Sequence, residues 1–150
     1  ILVVDLDVHQ GNGTAKIFEN TPEVFTFSMH GDHNYPLRKE KSDLDVPLQD
    51  GILGNDYLEL LMDKLKWLIR KVKPDFIFFQ SGVDVLETDH LGRLGLTIED
   101  CKTRDEIVLK TAYKSEIPLM ACMGGGYSKE IKYIVEAHAN TYRLAKEIWE

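Results

Sequence analysis

Cysteine is scarce in this chain of 150 residues: Cys101 and Cys122 are the only two. They stand far from any CxxC or CxxH spacing, which excludes a zinc knuckle and a disulfide framework. A reducing cytoplasm fits, or a nucleus if the source is eukaryotic. No apolar run approaches the roughly 18 residues of a membrane span, and no signal peptide is visible. Positive charge is also in deficit. Lys and Arg number 18 against 25 Asp and Glu, and the net charge of −7 disfavours a nucleic-acid surface while leaving basic peptides and small molecules as partners. An initiator methionine is missing as well, and the abrupt start at Ile1 on an apolar run is expected of a piece of a larger protein. There is no internal repeat and no low-complexity linker, so the length corresponds to about one domain.

What the chain does have is a polar cluster straight after its first apolar run. Ile1 to Val4 is continuously aliphatic and β-branched, the pattern of a parallel strand buried on both faces. If extended chain continues, Asp5, Asp7 and His9 share a face. Two carboxylates and an imidazole pointing one way need a common partner, and zinc or ferrous iron suits that donor set. Gly11 and Gly13 then let the backbone turn away. Other readings compete for the same residues. Strand-end aspartates can cap a helix or be solvated. A phosphotransferase strand ends in Asp-x-Asp-x-Thr, but the fifth position here is His9. The glycine pair suggests a dinucleotide loop, whose third glycine would fall at Lys16.

Further along, the pattern predicts a short helix over 14–19, a strand over 24–29 and a long polar loop over 30–51 with His30, His33 and Tyr35-Pro36. Both histidines are expected to be exposed rather than ligating. Leu58, Leu61, Met62, Leu65, Leu68, Ile69 and Val72 recur at helical spacing, giving a core-facing helix that Pro74 stops. Phe76 to Phe79 reads as another fully buried strand, ending in Gln80-Ser81-Gly82-Val83-Asp84. Asp84 therefore stands at the same kind of strand end as Asp7, where ligands of open parallel sheets collect. Thr97 and Asp100 resemble a capping box for a helix running to Lys114. Pro118 to Met123 is a further short buried strand, after which Gly124-Gly125-Gly126-Tyr127 either delivers a tyrosine hydroxyl to that edge or is a plain turn with a packed tyrosine. The last helix, over 128–149, is expected to bury Ile131, Ile134, Val135, His138, Tyr142 and Ala145, with His138 a satisfied core residue. Alternating strands and helices define an α/β class, part of a parallel sheet in a three-layer α/β/α arrangement.

Asp5-x-Asp7-x-His9-x-Gly11-x-Gly13, Ser28-x-His30, Gly82-Val83-Asp84 with Asp89-x-Leu91-Gly92 and Leu96-Thr97, and Gly124-Gly125-Gly126-Tyr127 follow one another along the chain. In this order the chain resembles, over its whole length, the histone deacetylase family of metal-dependent amidohydrolases. The form Asp-Leu-Asp-x-His-Gln-Gly-Asn-Gly-Thr and the later Asn34-Tyr35-Pro36 look most like class IV members and bacterial relatives. The resemblance implies the arginase/deacetylase fold, with residues 1–150 as the C-terminal portion of one catalytic domain.

The resemblance also implies roles. Asp7, His9 and Asp84 match zinc ligands, with ferrous iron as the other candidate metal. Tyr127 matches the tyrosine that hydrogen-bonds the substrate carbonyl and then its oxyanion. Asp5, Asp7, His9, Ser28 and Met29 match the surroundings of a structural potassium or sodium ion, and Phe18, Thr21 and Val24 those of a second. Tyr35 and Leu91 resemble walls of a narrow channel for an acyl-lysine, bordered by Gly126. Asn12 replaces an aspartate that polarises a catalytic histidine in many members, and should polarise less. The family's tandem histidine pair lies upstream of the Asp-x-Asp-x-His strand and is not within these residues, so this chain alone is expected to be inactive. The implied partners are an acylated lysine peptide or a small acylated amine, without direct nucleic-acid or membrane binding; the oligomeric state stays open. A two-manganese ureohydrolase is the rival enzyme, but it wants further carboxylates where Val85-Leu86 stand. A non-catalytic binding remnant is the rival from another class, opposed by the joint presence of Asp7, His9, Asp84 and Tyr127.

Overall fold

Short apolar runs separated by amphipathic helices pair most completely as parallel strands joined by helical crossovers. The computed structural model, which describes residues 1–150, has this form: β1 (Leu2–Asp5), α1 (Asn12–Phe18), β2 (Phe25–Gly31), β3 (Leu44–Leu48), α2 (Gly54–Val72), β4 (Ile77–Ser81), α3 (Ile98–Lys114), β5 (Leu119–Met123) and α4 (Ile131–Trp149). The sheet order is β3-β2-β1-β4-β5, and every neighbouring pair is parallel. From β1 the chain steps outward through β2 to β3, then returns to the other side of β1 for β4 and β5. The direction of winding thus reverses between β1 and β4, which makes the crevice beyond their carboxyl ends the expected ligand position.

Right-handed crossovers in opposite directions put their helices on opposite faces. Leu2, Val4, Phe27, Ile77 and Phe79 pack in one core with Leu61, Leu65 and Leu68 of α2 and Val108 and Ala112 of α3. On the other face, Val3, Phe78 and Cys122 border a cavity shared with Gly11 and Thr14 beside α1. That second face is only partly covered. Phe78 is 36% exposed and Met120 53%, so β4 and β5 are not the fully buried strands their apolar composition suggests. A strand buried on one side can read the same as one buried on both when its open-side residues are also apolar.

Two other expectations are corrected. The long loop carries a strand, β3, because Asp43 accepts from the Thr26 N–H and hydroxyl and draws residues 44–48 alongside β2. His30 is consequently not exposed: it lies in β2, 2% exposed, with Nδ1 2.9 Å from Ser28 Oγ. His33 is exposed as expected, beside Asp50. Along α4 the buried stripe is Ala137, His138, Asn140, Thr141 and Leu144, whereas Ile131, Val135 and Tyr142 face outward. Thr141 turns inward because its hydroxyl has a buried partner in Asp105, at 2.6 Å. His138 is buried, but its Nδ1 has no hydrogen-bond partner. Met62 is likewise exposed, while Tyr57, Leu61, Leu65 and Leu68 form the buried stripe of α2. The capping box of α3 is present, with reciprocal bonds between Thr97 and Asp100.

Candidate metal centre

β1 ends at Asp5, so Asp7 and His9 stand on a bend rather than on continuing strand. The bend brings them together all the same. Asp7 Oδ1 accepts from the His9 N–H at 2.9 Å, a tight local turn that folds the imidazole back over the carboxylate. Asp84, three residues beyond the end of β4, is completely buried and reaches across the crevice to accept from the Val8 N–H at 2.9 Å. His9 Nδ1 then lies 3.1 Å from Asp7 Oδ1 and 3.0 Å from Asp84 Oδ2. One donor atom from each of Asp7, His9 and Asp84 falls within 4.8 Å of the others.

Glycine makes this convergence possible. A Cβ on Gly125 would stand 1.9 Å from Asp84 Oδ2, and one on Gly82 2.2 Å from Asp7 Oδ2. With hydrogen there instead, the Gly125 N–H donates to Asp7 Oδ2 at 2.8 Å. The glycine run therefore serves as a backbone donor pressed against the carboxylates, and Tyr127 follows at its end. The Tyr127 ring stands edge-on to His9, with centroids 6.3 Å apart.

The electrostatics of these groups are those of a cluster that holds protons in place of a cation. Hydrogen bonds to Asp7 and Asp84 push the His9 imidazole up to about 10, so that alone the carboxylates hold a proton on it. Burial raises Asp84 above the ordinary carboxylate range, and the Asp7 charge adds to this. At Asp7 burial acts the same way, but hydrogen bonds from His9 and Gly125 outweigh it and hold the group low. Burial pushes Asp5 up to about 7, against the Asp7 N–H that donates to it. Two carboxylates, an imidazole and a surplus of buried negative charge fit a divalent ion that can replace the proton.

The remaining candidates fall into groups. Ser28 pairs in register with Asp5 across β2 and β1, next to the buried Met29. Phe18, Thr21 and Val24 form the turn between α1 and β2, tied by bonds from the Thr21 N–H to Phe18 O and from the Val24 N–H to Thr21 O. Tyr35 and Leu91 line one cavity of about 540 Å³ with His9, His33, Asn34 and Tyr127. A Cβ on Gly126 would meet Val83 and Ile134. Asn12 opens α1 and borders neither this cavity nor the one on the far side of Asp5 and Asp7.

Three supporting residues have roles that the motifs leave unassigned, although Gln10 and Asp89 stand within them. Gln10 holds the 40–45 segment through Glu40 and Asp45. Asp89 accepts from the N–H groups of Tyr127 at 2.6 Å, Leu91 at 2.9 Å and Gly92 at 2.8 Å, so one carboxylate sets both the tyrosine and a cavity wall. Arg104 is fully buried in α3. A signal for it does exist in the sequence: Arg104 and Asp105 occupy the inward stripe between Cys101 and Val108, where apolar residues belong.

A parallel α/β sheet with an acid–imidazole cluster at its switch point defines a class of α/β proteins with a ligand site at the strand ends, and comparison with known proteins narrows it. The histone deacetylase domain model matches residues 1–142, and the chain belongs to that family. It is 44% identical over 149 residues to an uncharacterised protein of Picosynechococcus, covering 99% of this chain and 50% of the relative. It is 29% identical to histone deacetylase 2 of Arabidopsis thaliana, covering 90% of this chain and 36% of that protein. Among solved structures, an acetylpolyamine aminohydrolase from Burkholderia pseudomallei superposes with a TM-score of 0.81 at 21% identity, over 98% of this chain and 45% of the other. A histone deacetylase homologue from Aquifex aeolicus gives 0.82 at 23%, over 97% and 41%. These two likenesses establish the arginase/deacetylase fold. The chain spans half or less of the length of each of these relatives. No helix is long and apolar enough to cross a membrane.

Proposed function

We propose that the protein carrying this chain is a metal-dependent amidohydrolase that removes acetyl or other acyl groups from lysine side chains or related small amines. The observation that carries this reading is the convergence of Asp7, His9 and Asp84 within 4.8 Å, with His9 of that group lining the cavity that Tyr127 also lines. Zinc, or ferrous iron, held by these three residues would supply Lewis acidity toward an amide carbonyl and the water that attacks it. The chain's own groups do the rest. Tyr127 offers a hydroxyl to the oxyanion of the tetrahedral intermediate, in a position braced by Asp89 and the glycine run. Tyr35 and Leu91 give the acyl-bearing arm an apolar passage. Asp7 and Asp84 would formally cancel the charge of a divalent ion, so a water there would be acidified less than at a three-histidine site and an external base would be needed. His30 and His138 are buried, His90 is hydrogen-bonded to the Tyr127 carbonyl, and His33, which also lines the cavity, is exposed beside Asp50; the family resemblance assigns that base to a histidine pair upstream. The finer site assignments belong to the same reading: a potassium or sodium ion near Asp5 and Ser28, and a second at the Phe18–Val24 turn.

A single-metal site is favoured over the two-metal alternative because Val85 and Leu86, which follow Asp84, are buried in the core and bring no carboxylate. Tyr127→Phe in the intact protein tests the reading. Turnover of an acyl-lysine peptide should fall by about 10²-fold or more, with one metal per chain retained. An unchanged rate reduces Tyr127 to a packing residue.

A further inference from the structure

One fully buried charge has no part in this chemistry. Arg104 donates from Nη1 to the carbonyl oxygens of Leu6, at 3.2 Å, and Gly82, at 2.6 Å. Its Nε donates to Asp105 Oδ1 at 2.8 Å, and Asp105 Oδ2 accepts from Thr141 Oγ1 of α4 at 2.6 Å. Neither Arg104 nor Asp105 exposes any surface. Stability alone does not account for such a pair. Desolvation offsets most of the attraction between buried ions, and well-packed apolar side chains commonly serve as well or better.

Position accounts for it. Leu6 immediately precedes Asp7, and Gly82 lies two residues before Asp84. The last rung of the β1–β4 ladder runs from the Leu6 N–H to Gln80 O, at 3.1 Å. Beyond it the two chains part, and the guanidinium fork bridges their carbonyls. The same two peptide units act at their other ends. The N–H following Leu6 donates to Asp5 Oδ1, and the N–H following Gly82 donates to Gly125 O at 2.7 Å. A cation on each carbonyl polarises that peptide and strengthens the bond its N–H makes. One side chain therefore ties together the Asp7 strand end, the Asp84 strand end and the glycine run that leads to Tyr127.

We propose that Arg104 is a positioning residue for the metal centre, fixing the separation of its two ligand-bearing strand ends and the seating of the glycine run. This rests on the metal-site reading above. Lysine cannot replace it, because an ammonium is a point charge without the planar fork that reaches two carbonyls and a carboxylate at once.

The test uses the intact protein, with Co²⁺ as probe and amide exchange measured on the metal-free form. The double variant Arg104→Met with Asp105→Leu removes both charges and leaves neither ion stranded, so it should fold. Its Co²⁺ affinity should fall about 10- to 100-fold, the size expected on losing an outer support of a metal site, and its visible absorption band should change. Exchange should quicken in peptides spanning 5–8 and 82–85. Arg104→Lys should move the same quantities in the same direction. Val108→Ala, one turn further along α3 and deep in the core, should lower the melting temperature and move none of them. A folded double variant with wild-type affinity, spectrum and exchange overturns the proposal. So does failure of both Arg104 variants to fold while Val108→Ala folds, since Arg104 then serves folding. Full Co²⁺ affinity in Asp84→Asn sinks the metal-site reading instead, and unchanged exchange in the Arg104 variants then sinks the positioning role as well.

Discussion

The two faces of the sheet are built to different specifications. On the α2–α3 face, Leu2, Val4, Ile77 and Phe79 are at most 1% exposed and pack in one apolar core, with the Arg104 guanidinium over the Phe79 ring as its one buried cation. On the α1 face, Val3 and Phe78 give way, two residues further along the strands, to Asp5 opposite Gln80, and the cavity there reaches Asp7 and His9. The first face supplies cohesion. The second leaves cohesion incomplete and lets carboxylates approach one another, which an apolar interior would not allow without a compensating cation. Substitutions should therefore separate: on the closed face they cost stability, and at the open face and its strand ends they cost metal binding.

The largest separation is expected at Asp84. Asp84→Asn keeps an acceptor for the Val8 N–H and removes the charge that burial disfavours. Tight metal binding should be lost, since one of three protein ligands is gone, while the melting temperature of the metal-free protein stays level or rises. Full occupancy by elemental analysis would remove Asp84 from the ligand set. Next comes the pair Phe79 and Phe78, adjacent in β4 and opposite in face. Phe79→Ala should cost about 3–5 kcal/mol by denaturant unfolding, as large core truncations do. Phe78→Ala, at a side chain 36% exposed, should cost about 1 kcal/mol or less. Equal losses at the two positions would mean that the faces are alike in energy.

This contrast also marks what the sequence could disclose. The strand and helix positions and the Asp7, His9, Asp84 and Tyr127 cluster were legible because periodicity and motif spacing are local. Which side of a strand is covered is not local: Phe78 and Phe79 read identically until the helices are placed. Helix α4 fails for a related reason. Its outward positions Ile131, Val135 and Tyr142 are the more apolar ones, and its inward position Thr141 is fixed by Asp105 on another helix. Strand β3 was hidden because its pairing is set by Asp43 bonding Thr26, a contact between segments with no periodic signature. Arg104 is the complementary case. An adjacent arginine and aspartate on an otherwise apolar helical stripe is a local signal, and it implies buried polar atoms elsewhere in the fold that the pair must satisfy.

A smaller effect is expected at Thr97, which starts the helix that carries Arg104. Its hydroxyl accepts from the Asp100 N–H, and the Asp100 carboxylate returns the bond to the Thr97 N–H. Thr97→Ala should cost about 1 kcal/mol, the usual worth of such a cap. The cap lies at the exposed start of α3 and touches neither sheet face, so metal affinity should not move. A parallel fall in metal affinity would show that α3 transmits its stability to the strand ends, and would blur the separation drawn above.

The smallest effect should be a pH dependence at His138, on the closed side of the sheet. This imidazole is buried on α4, where burial first and the Arg104 charge second hold it below its usual 6.5, while Asp105 and Asp7 act in the opposite sense. Below that value the unfolded chain binds a proton that the folded protein resists. Its contribution is therefore complete at neutral pH and lost as pH falls from about 6.5 toward the lower folded value. Asp5 and His9, whose pKa values are raised, bind protons in the folded state, so the overall profile of the metal-free protein mixes both signs. Only a difference isolates His138. His138→Gln keeps a polar side chain of similar size without a titratable ring. The gap in melting temperature between variant and wild type should therefore shift in the variant's favour on going from pH 7.5 to 5.5, with metal chelated throughout. A gap that stays constant over that range would show that His138 takes up its proton as readily in the folded protein as in the unfolded chain, and that the closed face is less dry beneath the glycine run than its burial indicates.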